Sequence, residues 1–463
     1  MVVRPVASRR GCGSAGVTLS REPAWVRHAV WWHVYPLGFT GADPTGAHRW
    51  PGRGLAHLRD WLDYAVRLGV NGLALGPIFD STTHGYDTVD HLRVDPRLGG
   101  DAAFDELVAA ARARGLRVLL DGVFNHVGRA HPAFTETLAL GAGAPRAGWF
   151  VPTGDAGPDG VPRYATFEGH DGLVALAHDN PAVADHVAEI MIHWLDRGAA
   201  GWRLDAAYAV PAAFWARVLP RVRRAHPDAY LVGEVIHGDY ADLVRRSGLD
   251  AVTQYELWKA VWSALNDGNL FELAWALKRH DALLETFVPF TFVGNHDVTR
   301  LASRLREPTH LAHALVVLCT VAGTPNVYYG DEQAFTGLKE ERVGGDDAVR
   351  PAFPTGPDEL APHGWPTYRL HQELIGLRRR HPWLHAARTA TVFLANTRMT
   401  YESAAEGQRI LVALNLAADP ADLPAPGAVD VLAGGGDLRE AGTGEAAVRL
   451  PARGWAVLAT TDA

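Results

Sequence analysis

Cysteine is close to missing from this chain: Cys12 and Cys319 are the two in 463 residues. That excludes a disulfide framework and a cysteine-built metal site, and fits free thiols in a reducing compartment. Charge of one sign is equally scarce. A net charge of −8 is mild for this length, with no basic run and no acidic tail, so neither nucleic acid nor an anionic membrane surface is favoured as a partner. Long apolar runs are lacking too. No stretch is long enough to span a bilayer, and the opening "MVVRPVASRRGCGSAGVTLSREP" has arginines but no apolar core of signal-peptide length. Residues 1–29 therefore read as a disordered lead-in to a cytoplasmic protein acting on a small molecule or neutral polymer. Nothing in the sequence fixes an oligomeric state.

What is present is a rhythm. From about residue 30, short apolar runs rich in β-branched and aromatic residues alternate with stretches of helical period such as "DAAFDELVAAARARG" and "PAVADHVAEIMIHWLDRG". Strands are expected at residues 31–40, 71–79, 116–126, 201–208, 230–236, 251–258, 290–297 and 326–332, and eight alternations predict a (β/α)8 TIM barrel. After the third strand, residues 127–180 are rich in Gly, Pro and aromatics and too long for an ordinary loop, so they read as an inserted B domain. The barrel then comprises residues 30–126 and 181–385, and the short alternating segments of 386–463 predict a C-terminal antiparallel β-sandwich domain.

Four of the expected strands end in a carboxylate: Asp121 in "LLDGVFNH", Asp205 in "GWRLDAAY", Glu234 in "VGEVI" and Asp297 in "VGNHD". Barrel enzymes assemble their sites at this end of the strands, and four acids at one mouth make a purely structural reading unfavourable. Arg203, two residues before Asp205, shares its strand face, which fits either a structural ion pair or a cation holding a working carboxylate. His126 and His296 lie beside the acids and read as hydrogen-bonding groups for a polar substrate. A metal-dependent hydrolase is the competing reading, weakened by the absence of an H-x-H, H-E-x-x-H or clustered Cys/His pattern.

The ordered segments "DGVFNH", "GWRLD", "GEV" and "VGNHD" resemble the four signature regions of the α-amylase family of glycoside hydrolases, family 13. "NGLALGPIF", "HGYDTVDH" and "GTPNVYYGDE" resemble its flanking regions, and the match covers roughly residues 30 to 385. The resemblance implies a retaining hydrolase of α-1,4-linked glucans or maltooligosaccharides, with a covalent glycosyl-enzyme intermediate. It makes Asp205 the nucleophile, Glu234 the general acid and base, and Asp297 the stabiliser of the transition state. Arg203 would keep Asp205 ionised, lower its pKa and count among the substrate-binding residues. His126 and His296 would bond the sugar, Tyr86 would stack beneath it, and Asp121 would support the site. No cofactor is required; calcium is admitted through Asn125, which matches a calcium-binding position of many amylases. The partner implied is an oligosaccharide or polysaccharide.

Departures bear on specificity. Where many amylases carry a Lys-His pair after the nucleophile, this chain has Tyr208 and Ala209; Thr83 stands where single-glucose-releasing members carry Asp; and Val174 to Ala177 replace a common "PxLN". Arg350 could serve as a pocket cation. Trp149, Phe150, Tyr164 and Phe167 read as B-domain core ahead of sugar platforms, with Glu168 and His170 as weaker subsite candidates. A transglycosylase, or an α-glucosidase for another α-glucoside, uses the same acids, whereas a non-catalytic sugar-binding relative would be expected to have lost one of them.

Overall fold

The computed structural model describes residues 21–47, 52–156, 162–342, 344–440 and 446–461; Cys12 lies outside them. Eight parallel strands form the centre: β1 (Trp31–Val34), β2 (Gly72–Leu75), β3 (Arg117–Gly122), β4 (Gly201–Leu204), β5 (Tyr230–Gly233), β6 (Ala251–Val252), β7 (Phe290–Phe292) and β8 (Thr324–Tyr328). They neighbour one another in the order β6-β5-β4-β3-β2-β1-β8-β7, and a parallel bridge from Thr253 to Phe290 joins the two ends, closing the expected barrel. Covered on both faces, these strands are read in the sequence as nearly unbroken apolar runs; six of the eight are buried at every position, and β3 and β4 at every position but one, Arg117 and Arg203 respectively. Gly201 opens β4 because a Cβ there would collide with the backbone carbonyl of Tyr230 on β5.

Every strand is shorter than its expected run, and at three of them the cause is local. The run over 31–40 stops at Val34, because Pro36 occupies the first turn of a helix, Pro36–Thr40, which Gly41 ends at φ 72°. The run over 251–258 stops at Val252, and Gln254 caps the helix Tyr255–Asp267 by accepting from the Leu257 amide. A short apolar run does not distinguish strand from buried helix. The run over 201–208 ends at Leu204, followed by a left-handed Ala206 at φ 45°.

The lead-in is narrower than expected. Residues 1–20 lie outside the described residues, but Ala24–His28 form a 3-10 turn with Val26 fully buried. Trp25 donates to the Asp228 carbonyl at 3.0 Å and meets Trp31 and Tyr230 edge-on at 6.0 and 6.1 Å. Since Trp31 and Tyr230 begin β1 and β5, this segment covers the barrel's N-terminal end.

The insertion starts with a strand pair, His126–Gly128 against Leu173–Ala175, and contains a helix (Pro132–Leu140) and a hairpin (Pro152–Ala156 with Pro162–Tyr164). The strand pair uses the segment from Val174 that departs from "PxLN". Beyond the helix Trp365–Arg380, a five-stranded and a three-stranded antiparallel sheet build the C-terminal domain from Arg388 to Thr460. Their facing residues, Leu411, Leu423, Val448 and Leu458 among them, make a separate core. Among the described residues no helix is long and apolar enough to cross a membrane. Cys319 is a buried free thiol, which burial pushes up to about 12.

Candidate active site

The C-terminal ends of β3, β4 and β5 bring three carboxylates to one guanidinium. The β3–β4 register sets Arg203 opposite Asp121. Arg203 Nη1 donates to both Asp121 oxygens at 2.7 and 2.6 Å and to Asp205 Oδ1 at 3.2 Å, while Nη2 pairs with Glu234 Oε1. All four side chains are buried or nearly so, with Asp205 and Glu234 each 7 % exposed. The guanidinium expected to meet substrate is thus occupied by Asp121, Asp205 and Glu234, which makes it the hub that positions them.

Glu234 has three further anchors. Its amide donates to the Leu204 carbonyl at 2.8 Å, Tyr255 Oη donates to Oε1 at 3.2 Å, and the Ala206 amide donates to Oε2 at 3.0 Å. The left-handed turn at Ala206 is what aims that amide at the carboxylate, a conformation costing a non-glycine residue about 1–2 kcal/mol. Asn295 completes the support: its Nδ2 donates to Tyr255 Oη at 2.8 Å and its Oδ1 accepts from the Asp297 amide at 2.9 Å. Gly294 before it is obligatory, since a Cβ would strike the Asp331 carboxylate.

On the other side of Asp205 lies a second charged group. Asp297 accepts from Arg350 Nη2 at 2.7 Å and lies 3.0 Å from His296 Nε2, and Arg350 Nε also donates to the His296 carbonyl at 2.9 Å. Tyr86 Oη bonds His296 Nε2 and donates to Asp121 Oδ2 at 3.3 Å, its ring parallel to the His296 ring at 5.5 Å. His126 faces Tyr86 from the B-domain strand, with Nε2 3.0 Å from the Tyr86 carbonyl and Nδ1 3.1 Å from Asn125 Nδ2. Both His126 nitrogens are therefore engaged within the protein. A groove of about 510 Å³, lined by Tyr35, His84, Asp346 and Arg350, continues the cleft on the Asp297 side.

Two of the three working acids of the sequence reading, Asp205 and Asp297, are held in opposite ways. Burial and the Glu234 charge push the Asp205 carboxyl well above its ordinary value, and Arg203 offsets this only in part. Arg203 does lower it, as expected, but the net shift is upward: one cation divided among three buried carboxylates cannot neutralise each. Asp121 is likewise raised by burial against the pull of Arg203. Burial would raise Asp297 as well, but the charges of His296, Arg350 and Arg203 hold it well below the usual range.

Asn125 turns its carboxamide to His126, and its carbonyl accepts from the Leu176 amide at 3.1 Å. Among the described residues no group of three or more His, Cys, Asp or Glu could hold a metal ion. Calcium takes roughly six to eight oxygen ligands, carbonyl and amide oxygens among them, and no step below is routed through it.

The B-domain aromatics divide. Phe134, Phe150 and Tyr164 pack edge-to-face at 5.0 and 5.2 Å as a small core, and Trp149 rests on His186 at 4.8 Å. Phe167 instead stacks on His126 at 4.9 Å and so belongs to the site. Thr83 bonds Asp87 through its amide and hydroxyl at 3.1 and 2.8 Å. Tyr255, Asn295 and the Ala206 amide were not singled out from sequence. Asn295 had a signal, an Asx residue two positions before Asp297; Tyr255 was hidden in a run read as strand.

A model of the α-amylase catalytic domain matches residues 33–389. A cyclomaltodextrinase of a Bacillus species is 32 % identical over 81 % of this chain and 69 % of its own length. An intracellular maltogenic amylase of Bacillus subtilis is 30 % identical over 68 % of this chain, which spans 57 % of that protein. Among solved structures, the native debranching enzyme of Nostoc punctiforme superposes with a TM-score of 0.84 at 26 % identity, covering 96 % of this chain and all of that one. With its barrel closed, its acids gathered at the C-terminal mouth and its catalytic domain matched over most of its length, the chain belongs to the α-amylase family of glycoside hydrolases.

Proposed function

We propose that the protein hydrolyses α-1,4-glucosidic bonds in linear or cyclic maltodextrins by a retaining double displacement. Asp205 attacks the anomeric carbon as the bond to the leaving oxygen breaks, and Glu234 passes its proton to that oxygen. Glu234 then takes a proton from water, which displaces Asp205 and releases the sugar. The observation that carries this reading is the shared guanidinium: one Arg203 touches both Asp205 and Glu234. That holds both carboxyls against one group, an arrangement compatible with the roughly 5–5.5 Å separation that retention requires. With the proton on Glu234, one of the charges that raise Asp205 is removed, which favours the ionised nucleophile facing Arg203.

Asp297 stays ionised and stabilises positive charge building on the sugar ring. Asp121 and Arg203 position; Tyr86, His126 and His296 frame the reacting sugar. The small number of cysteines and the name of the Bacillus subtilis relative support a cytoplasmic location.

A time course of products from a defined maltooligosaccharide, resolved by length, tests the reading. Only shorter products are expected from hydrolysis; products longer than the substrate would identify a transferase instead, and no cleavage of linear or cyclic maltodextrin would refute the substrate class.

Arg350→Met tests the Asp297 assignment through stability. A carboxyl depressed in the folded state stabilises above its unfolded pKa, and that contribution disappears as pH falls through the folded value. The melting temperature of Arg350→Met is therefore expected to lie below wild type at neutral pH, with the gap shrinking steadily as pH falls below the ordinary aspartate range. A gap independent of pH would contradict it.

A further inference from the structure

Inside the barrel, below the acids, lies a cavity of about 20 Å³, lined in part by His33, Arg203, Glu234, His296 and Asn326. One water needs roughly 10–15 Å³ and two or more polar partners. The cavity offers both. Among the described residues, His296 Nδ1 and Asn326 Oδ1 are buried with no hydrogen-bond partner in the protein, and their residues are only 1 % and 7 % or less exposed, Asn326 at 3 %. A buried polar atom left without a partner bears its full desolvation cost.

The surroundings of His296 decide how that water is bonded. Tyr86 Oη donates to Asp121 Oδ2 at 3.3 Å, so it turns a lone pair to His296 Nε2, and the Asp297 carboxylate faces the same nitrogen at 3.0 Å. With acceptors on both sides Nε2 carries the proton, and a ring with one proton presents Nδ1 as an acceptor. Ring stacking does not make this choice. The His296 ring is parallel to those of Tyr86 and Tyr35 at 5.5 and 6.1 Å, which sets its plane and not the placing of its proton.

Asn326 is fixed from its other end. It lies on β8 opposite Trp31 of β1, and its Nδ2 donates at 3.3 Å to Nδ1 of His33, two residues further along β1, which leaves Oδ1 as the second acceptor. The His33 ring itself stands edge-on to that of His296 at 5.0 Å. Burial holds His33 well below the usual histidine range, so its Nδ1 stays open to the Asn326 amide.

We propose that Asn326 and His33 are positioning residues for His296, acting through one buried water that donates to both Asn326 Oδ1 and His296 Nδ1. The water keeps the Nε2 hydrogen of His296 on Asp297, the group that stabilises positive charge on the reacting sugar. Without it the proton is free to sit on Nδ1, and an Nε2 lone pair then meets the Asp297 carboxylate. This deepens the proposed glycosidase reading and rests on it.

The test uses the full-length enzyme. A high-resolution crystal structure of wild type is expected to show one water between His296 Nδ1 and Asn326 Oδ1. The ring 15N signals of His296, identified by their loss in His296→Gln, should place the proton on Nε2. In Asn326→Leu, of nearly equal size, the signals should show Nδ1 gaining the proton, and kcat on maltotetraose should fall about ten- to a hundredfold with KM little changed. His33→Phe should act in the same direction, and His33→Gln, whose carbonyl still accepts from Asn326, should recover most of the loss. A dry cavity, or Asn326→Leu with wild-type kcat and Nε2 still protonated, would overturn the inference; the wild-type crystal and spectrum decide it even where a variant fails to fold. Wild type that cleaves no maltodextrin while showing the water and the Nε2 proton would instead overturn the glycosidase reading, and with it the role assigned to the pair.

Discussion

Asp205→Asn is expected to lower kcat by about four orders of magnitude while leaving the protein at least as stable as wild type. The loss follows from removing the atom that forms the covalent bond, since an amide oxygen is a poor nucleophile of nearly the same shape. The stability result follows from burial. Asp205 is held well above its ordinary value by desolvation and by Glu234. A carboxyl raised in the folded state contributes stability below its unfolded pKa and loses it as pH rises through the folded one. At neutral pH its ionisation therefore opposes folding, and asparagine removes that opposition while Arg203 keeps Asp121 and Glu234 as partners. Melting curves should show the variant's advantage growing from the ordinary aspartate range toward neutral pH and vanishing below it. A variant that melts well below wild type at pH 7 would mean that Asp205 is held chiefly as a structural ion-pair partner.

Arg203→Met has the largest expected effect on folding. Removing the shared cation leaves Asp121, Asp205 and Glu234 buried together without their common partner. Breaking one buried pair costs about 3–5 kcal/mol, and three acids facing one another place this variant at or beyond that range. The chain escapes part of the cost by binding protons, so destabilisation should ease as pH is lowered and the carboxyls neutralise. Denaturant unfolding at two pH values checks this. Arg203→Lys should recover little, because a single ammonium cannot reproduce a planar fork that bonds Asp121 and Asp205 through one nitrogen and Glu234 through the other.

The barrel was legible because each strand is a short apolar run at a regular interval, and the acids because each interrupts such a run at its end. What the chain could not reveal was distance. Arg203 and Asp205 visibly share a strand face, but the approach of Asp121 and Glu234 depends on the register of three strands, and burial together with their charge outweighs the pull of Arg203 on Asp205. Tyr255 was lost for a local reason, since "AVTQYELW" has no feature that ends a strand before Gln254 caps a helix. The covering of the barrel's lower end was lost for a compositional one: the polar residues before it hide the tryptophan that packs against Trp31 and Tyr230.

The central claim is that Asp205 carries the sugar between the two displacements. Incubating the enzyme with a fluorinated α-glucosyl fluoride, which forms the intermediate faster than water resolves it, and locating the added mass by peptide sequencing tests that directly. The expected result is one glycosyl group per chain on Asp205, absent from Asp205→Asn and with reactivation when an acceptor sugar is added. A label on any other residue, or an active enzyme whose product has inverted anomeric configuration, would contradict it.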